Sequence, residues 1–121
     1  MIQSHKELIV WQKAVELATQ TYLLTEQFPK EELYGLTSQM RRASVSVASN
    51  IAEGKNRGTR KDFVQFLRMS KGSLAELETQ IEIAKKIKNL SALNYNDLEI
   101  LISEIGKILN VIIKKLLEAK S

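Results

Sequence analysis

The chain has 121 residues, a net charge of +4, no cysteine, one proline and five glycines, and 44% of its residues are hydrophobic. A chain of this length forms one domain and buries about two-thirds of its unfolded surface. The lack of cysteine excludes disulfides and thiolate metal sites, and no apolar run approaches the roughly 20 residues of a membrane span. We therefore expect one cytoplasmic domain, residues 1–121, with no membrane segment, metal or cofactor.

The positive charge is concentrated in the middle of the chain. Residues 41–71 include eight basic and two acidic residues, a net charge of +6, which leaves −2 for the remainder. Such an asymmetry indicates an anionic partner, often a nucleic acid. A solvated basic face that only keeps the protein soluble would show the same asymmetry, and charge alone does not separate the two interpretations.

Four amphipathic segments predict helices at about residues 5–27, 34–54, 59–88 and 95–119. The first begins at Ser4, which has capping-box spacing to Glu7, and it ends before Pro29 because proline disfavours helix at the preceding residue. Its buried stripe is predicted to be Leu8, Trp11, Val15, Ala18 and Tyr22, widened by Ala14 and Leu23.

The second segment carries two apolar lines with small residues between them. The main line is Leu36, Met40, Ala43, Val47 and Ile51, and a second line around the side is Val45, Ala48 and Ala52. A helix with two such lines is packed on more than one side. Either a central position in a bundle or a seam between subunits would explain the second line. A basic turn from Gly54 to Gly58 ends the helix.

The third segment begins at Thr59, which repeats capping-box spacing with Asp62. Its buried side is predicted to be Phe63, Phe66, Leu67, Ser70, Leu74, Leu77, Ile81, Ala84 and Ile87. Gly72 lies in mid-helix, as does Gly106 in the fourth segment, and each costs about 1 kcal/mol relative to alanine. We therefore expect another helix to cross closely at both glycines.

The fourth segment has more aliphatic residues than one buried stripe needs. Its predicted core set is Leu98, Leu101, Ile105, Ile108, Ile112 and Leu116, which leaves Ile100, Val111 and Ile113 over. Leftover aliphatic residues favour a second buried surface and hence an oligomer. The four helices and their short loops together predict an all-α fold, an antiparallel up-down-up-down four-helix bundle.

No pattern of catalytic or metal-binding residues is present in the sequence. The chain has one histidine, His5, no Glu-x-x-His pair of the di-iron type, and no glycine-rich loop that follows a strand. Glu53 stands among basic residues and is expected to pair with Arg57, four residues later, or with Arg42 of another subunit. Loss of turnover on Glu53→Gln would be needed to support a catalytic role for it. We predict no catalytic residue, no metal ligand and no enzyme activity.

The basic residues of the second and third helices form the candidate site. The N-terminus of the third helix favours anions through its free amides, and the planar guanidinium of arginine suits phosphate. Because Phe63 and Phe66 are expected in the core and Tyr34 and Tyr95 at helix starts, the pattern predicts contacts to a nucleic-acid backbone with little base readout. The predicted phosphate contacts are Arg41, Arg42, Arg57, Arg60, Lys61 and Arg68, with Asn50, Glu53 and Gly54 in an ordering role.

Several motifs of this chain resemble the 23S rRNA intervening-sequence family of four-helix-bundle proteins. They are residues 28–43 (FPKEELYGLTSQMRRA), residues 49–54 (SNIAEG), Phe66-Leu67 and residues 72–80 (GSLAELETQ), and residues 8–14 (LIVWQKA) fit the family's opening. The resemblance covers about residues 5–117. It also extends to the accessory proteins of diversity-generating retroelements.

The resemblance implies a left-handed bundle, a ring-shaped homopentamer and a role in binding nucleic acid, and it implies no enzyme activity. Our leading hypothesis is a non-enzymatic oligomer that binds structured RNA or an RNA–DNA intermediate. The alternative is a protein-interaction scaffold whose basic surface meets an acidic partner, such as a reverse transcriptase or a ribosome-associated protein.

Overall fold

A computed structural model describes residues 4–119, and within this range the chain forms helices and turns without a strand. The four long helices are α1 (Ile9–Thr25), α2 (Ser38–Asn56), α3 (Arg60–Ala84) and α4 (Asn96–Glu118). Each helix packs on the next, and α1 also packs on α4. The predicted all-α four-helix bundle is confirmed. The predicted domain also takes in residues 1–3 and 120–121, which lie outside the described range.

Side-chain contacts between α2 and α3 give the relative direction of these two helices. Ser70 Oγ donates to the Val47 carbonyl at 2.8 Å, and Ser73 Oγ donates to Ser46 Oγ at 2.9 Å. Residue numbers therefore rise along α3 as they fall along α2, as the predicted up-down order requires for this pair. The order of the whole bundle and its left-handed sense stay predictions.

Several helix boundaries differ from the predicted ones by two to four residues, among them the end of α3, which lies at Ala84 and not at residue 88. Ser4 caps a 3-10 turn, His5–Glu7, by accepting from the Lys6 amide, and α1 begins after it at Ile9. A π-helical turn, Leu33–Thr37, precedes α2 and is broken at Gly35, where φ is −115° and ψ is −112°. At its other end α2 continues to Asn56, so the predicted basic turn is shortened and Gly58, with φ of 93°, reverses the chain.

The buried face of α1 agrees only in part with the predicted one, because Ala14 is buried and Leu8 and Trp11 pack against the core, but the rest of the face differs. The structure buries Val10, Ala14, Leu17, Thr21, Leu24 and Thr25, whereas Val15, Tyr22 and Leu23 of the predicted stripe are exposed. The buried face includes two threonines, Thr21 and Thr25, which a search for apolar residues does not find. The hydroxyl of each donates to the backbone carbonyl four residues earlier, at 2.7 Å. Hydrogen-bonded hydroxyls of this kind can be buried at little cost.

The predicted core lines of α2 and α3 are largely confirmed. All five residues of the main α2 line are buried, as are Leu67, Ser70, Leu74, Leu77, Ile81 and Ala84 of α3. In α4, Ile100 and Val111 are exposed as expected, but Ile113 is buried, so the prediction that it lies outside the core was wrong.

The close helix crossing lies at a different glycine from those predicted. Within residues 4–119 nothing lies within 4 Å of a Cβ built on Gly72 or Gly106, so the expected contacts there are wrong for the single chain. A Cβ on Gly54 would instead lie 2.6 Å from Phe66 Cβ. Gly54 is therefore the residue that lets α2 and α3 approach each other at this end of the pair.

Candidate nucleic-acid interface

A groove between the N-terminal half of α3 and the C-terminal end of α4 brings three of the six predicted cations together. Arg68 follows Arg60 by eight residues and Lys61 by seven, about two turns of helix, so α3 places the three cations on one side. The groove has a volume of about 670 Å³ and is lined by Arg60, Lys61, Val64, Gln65, Arg68, Met69, Leu116, Leu117 and Ala119. We call it the basic groove. Among residues 4–119, no carboxylate side chain lines it, so its electrostatic potential favours anions.

The floor of the basic groove is aliphatic. Met69 and Leu117 are 47% and 59% exposed, and Leu116 is half-buried beside them. Arg60 Nη1 donates to the Ala119 carbonyl at 3.4 Å, which ties the start of α3 to the end of α4. Sequence reasoning did not include the leucines of α4 in the site. The signal for Leu117 was the surplus of aliphatic residues in that helix.

Arg57 lies outside the basic groove. Its Nη2 donates to Glu53 Oε2 at 2.8 Å, and its guanidinium lies over the Phe66 ring, 4.9 Å from the ring centroid. The Glu53–Arg57 pair was one of the two predicted partnerships for this glutamate. Both side chains are about half exposed, so the pair adds little to stability, but it orients the guanidinium next to the turn into α3.

Arg41 is directed towards α1. Its Nε donates to Thr25 Oγ1 at 2.9 Å, and its guanidinium lies 4.6 Å from the centroid of the Tyr22 ring. A cation above an aromatic face and a hydrogen bond from the charged guanidinium together hold α2 against α1. In this position the guanidinium is engaged within the chain.

Arg42 lines a separate cavity between α2 and α3, which shares no lining residue with the basic groove. Near this cavity, Asn50 Nδ2 donates to Ser46 Oγ at 3.0 Å, and the same oxygen accepts from Ser73 Oγ. Asn50 thus belongs to a short network that joins the two helices, and its role in ordering the arginines or a subunit interface stays a prediction.

Acidic side chains gather at the other end of the α3–α4 face. Glu78, Glu82 and Glu99 line a cavity of about 250 Å³ there, at the end of the bundle opposite to the basic groove. Lys85 pairs with Glu82 and Glu99, and its hydrogen bond to Glu99 raises the lysine pKa. The same face of the bundle is therefore basic at one end and acidic at the other.

Neither a metal site nor a membrane-spanning helix occurs in the described range. No group of three or more His, Cys, Asp or Glu side chains among residues 4–119 could hold a metal ion. None of the helices in this range is long and apolar enough to cross a membrane.

The comparisons with known proteins agree on the fold. The chain is similar to a protein of unknown function from the S23 ribosomal protein family of Bacteroides thetaiotaomicron, known from a crystal structure, with a TM-score of 0.76 and 24% identity over 88% of this chain and 99% of that one. At this identity the likeness shows the fold alone. No curated protein sequence matches this chain. The model of the 23S rRNA-intervening sequence protein family matches residues 6–111, and the chain therefore belongs to that family.

Proposed function

We propose that this protein is a non-enzymatic, oligomeric RNA-binding bundle that holds the phosphates of structured RNA, or of an RNA–DNA intermediate, in the basic groove. The observation that carries the proposal is the convergence of Arg60, Lys61 and Arg68 on one groove that no carboxylate side chain of the described residues lines. Arginine and lysine neutralise phosphates and release counterions, which gives binding without sequence preference. Arg57 extends this surface around the start of α3, and Arg42 lies further along the α2–α3 pair.

Repetition of the basic groove around an oligomer would strengthen a weak single contact. A ligand that spans several copies binds the second as an intramolecular event, which raises the overall affinity. The resemblance implies a homopentamer. We propose that its seam is the face formed by α1 and α2, where Val15, Tyr22, Leu23 and Val45 are exposed and line a groove of about 430 Å³. These residues include the part of the α1 stripe that the core leaves uncovered.

A charge-neutralised variant of the basic groove tests RNA binding. Fluorescence anisotropy of a labelled structured RNA would be measured from low to high salt for the wild type and for Arg60→Gln, Lys61→Gln, Arg68→Gln. We expect the wild type to bind less tightly as salt rises. The negative slope of log K against log salt should become shallower by about 2 to 3 in the variant, since each lost phosphate contact reduces its magnitude by about 0.7 to 0.9.

A second triple variant supplies the matched control. Lys30, Lys86 and Lys88 are exposed and lie at the opposite end of the bundle, so their change to glutamine removes the same charge away from the groove. Equal effects of the two triple variants would show that only net charge matters and would reject the groove. Absence of RNA binding at low salt would reject the function itself.

The aliphatic floor of the basic groove favours one alternative, a scaffold that binds an acidic protein partner. Met69, Leu116 and Leu117 would receive the apolar face of an acidic amphipathic helix, while the cations meet its carboxylates. Binding of an acidic amphipathic peptide that is lost when its leucines become serines, together with a failure to bind RNA, would favour the scaffold.

The oligomer is tested by light scattering on a variant of the proposed seam. Leu23→Glu places a charge on the α1–α2 face, and we expect it to lower the mass of the particle to that of smaller species. Ile100→Glu is the control, because Ile100 is equally exposed but lies on α4. Dissociation by the control alone would move the seam to α4, and a monomeric wild type would reject the oligomer.

A further inference from the structure

The cavity between α2 and α3 is polar and has hydrogen-bonding capacity that the chain does not use. It has a volume of about 290 Å³, and its lining residues are Gln39, Arg42, Ala43, Ser46, Glu76 and Gln80. Gln80 is 8% exposed, and its Oε1 has no hydrogen-bond partner within residues 4–119. A buried amide oxygen without a partner costs free energy, so a group that supplies a donor here would be favoured.

Arg42 and Glu76 line this cavity from opposite helices without forming an ion pair. Within residues 4–119, the four ion pairs with nitrogen and oxygen inside 4.0 Å are formed by other residues. Ser46 Oγ accepts two hydrogen bonds, which uses both of its lone pairs and leaves its own proton to donate. A cationic donor and an anionic acceptor thus line the same small cavity.

This combination does not suit a phosphate. The Glu76 carboxylate would repel an anion held by Arg42, in contrast to the basic groove, where no carboxylate side chain occurs in the described part of the lining. A neutral group that carries both donors and acceptors would satisfy both charged side chains. The edges of nucleobases are groups of this kind, and single-stranded bases are read by hydrogen bonds to these edges.

We propose that the cavity between α2 and α3 is a pocket for a guanine base of a single-stranded segment, and this inference rests on the proposed RNA-binding function. Guanine presents adjacent acceptors, O6 and N7, to which the forked guanidinium of Arg42 donates. Its neighbouring N1–H and N2–H groups are adjacent donors that a carboxylate accepts as a pair, which assigns them to Glu76. The second N2 proton is then donated to Gln80. Adenine, cytosine and uracil lack such a pair of adjacent donors.

The pocket lies within reach of the proposed phosphate contacts. Arg68 of the basic groove and Glu76 of the pocket are eight residues apart on α3, which is about 12 Å along the helix axis. One single strand that crosses α3 can therefore place phosphates in the basic groove and a base in the pocket. Arg42 would then read a base rather than bind a phosphate.

Removal of one amino group from the RNA tests whether the pocket recognises guanine. Anisotropy would be measured with a uridine-rich single strand that carries one central guanosine, and with the same strand carrying inosine, which lacks the 2-amino group. We expect the wild type to bind the guanosine strand about fivefold more tightly or better, the lower limit for a bidentate base contact. Glu76→Gln is expected to lose most of this preference, because an amide oxygen cannot pair with both donors as a carboxylate does.

Two further variants keep the experiment decisive. Glu78→Gln changes the charge equally on the same helix but outside this cavity, and it should keep the guanosine preference. Gln80→Met removes the unpartnered amide in favour of an apolar group of similar size, so it should fold and bind inosine normally while binding guanosine more weakly.

The outcomes separate this inference from the proposed function. Salt-dependent binding of both strands with equal affinity would overturn the guanine pocket alone, as would failure to bind either strand by a protein that still binds the labelled structured RNA. Failure to bind the structured RNA as well would overturn both proposals. If Glu76→Gln and Gln80→Met reduce the mass of the oligomer, the cavity is a contact between copies and the inference is overturned.

Discussion

Gly54→Ala tests the close approach of α2 and α3 beside the turn. The new Cβ would lie 2.6 Å from Phe66 Cβ and 3.2 Å from Phe63 Cδ1. An ordinary contact begins at 3.4 Å, so the Phe66 carbon must move away by about 0.8 Å. Because that carbon is attached directly to the backbone of α3, rotation of the side chain cannot relieve the overlap and the helix itself must shift.

Two opposing effects set the size of this change. Overpacking of a well-packed contact costs about 1 to 3 kcal/mol, and alanine is favoured over glycine in a helix interior by about 1 kcal/mol. Since the overlap involves a Cβ atom, we take the upper cost and expect a net loss of about 2 kcal/mol in the free energy of unfolding. For a chain of this size this lowers the Tm by about 8 °C.

Urea and thermal unfolding followed by circular dichroism would measure the effect, with Gly72→Ala as the matched control. A Cβ on Gly72 meets nothing within 4 Å in the described range, so this variant should gain up to about 1 kcal/mol from helix propensity. A Gly54→Ala protein as stable as the wild type would refute the contact. Destabilisation by Gly72→Ala would instead show that a helix of another copy crosses there.

Two further predictions concern the ends of α3 and α4. Thr59→Ala removes the hydroxyl that accepts from the Asp62 amide at 3.1 Å, and urea unfolding should show that the free energy of unfolding falls by about 1 kcal/mol. Thr79→Ala is the control, because this exposed hydroxyl donates to the Ala75 carbonyl within the same helix. An equal loss of stability in both variants would contradict a specific role for the cap. Burial raises the pKa of Tyr95, whose hydroxyl donates to the Leu90 carbonyl at 2.8 Å. The folded state therefore holds this proton more tightly than the unfolded state does. The free energy of unfolding should fall as pH rises above the ordinary tyrosine pKa of about 10. Tyr95→Phe should lower the free energy of unfolding by about 1 kcal/mol at neutral pH. This difference in stability between variant and wild type should narrow above about pH 10, and a constant difference would refute the raised pKa of Tyr95.

The sequence predicted the elements of the fold better than their orientation. Capping at Thr59 and the apolar line of α2 depend on neighbours within one helix, and both were predicted correctly. The buried face of α1 depends on which of two stripes meets the other helices. The stripe with Trp11 and Tyr22 has more apolar surface, but Thr21 and Thr25 can be buried because their hydroxyls are satisfied within the helix.

The candidate site was predicted by residue type and only partly by location. Arg60, Lys61 and Arg68 share one side of α3 by simple helical spacing, so their convergence was within reach of the sequence. The opposite wall of the basic groove comes from α4, about fifty residues later in the chain, and no local pattern specifies which helix lies there. The engagement of Arg41 with Tyr22 likewise depends on the packing of α1 on α2.

The contact between α1 and α4 has a consequence for how the protein opens. Lys13 and Glu104, which pair across it at 3.5 Å, are 91 residues apart and substantially exposed, whereas the more extensive α2–α3 interface closes through a turn of a few residues. Closing a long loop costs more entropy than closing a short one, and exposed ion pairs such as Lys13–Glu104 add little to the free energy of unfolding. The first and last helices should therefore separate before the central pair, and their amides should exchange with deuterium sooner. Uniform exchange along all four helices would show instead that the bundle opens as one unit.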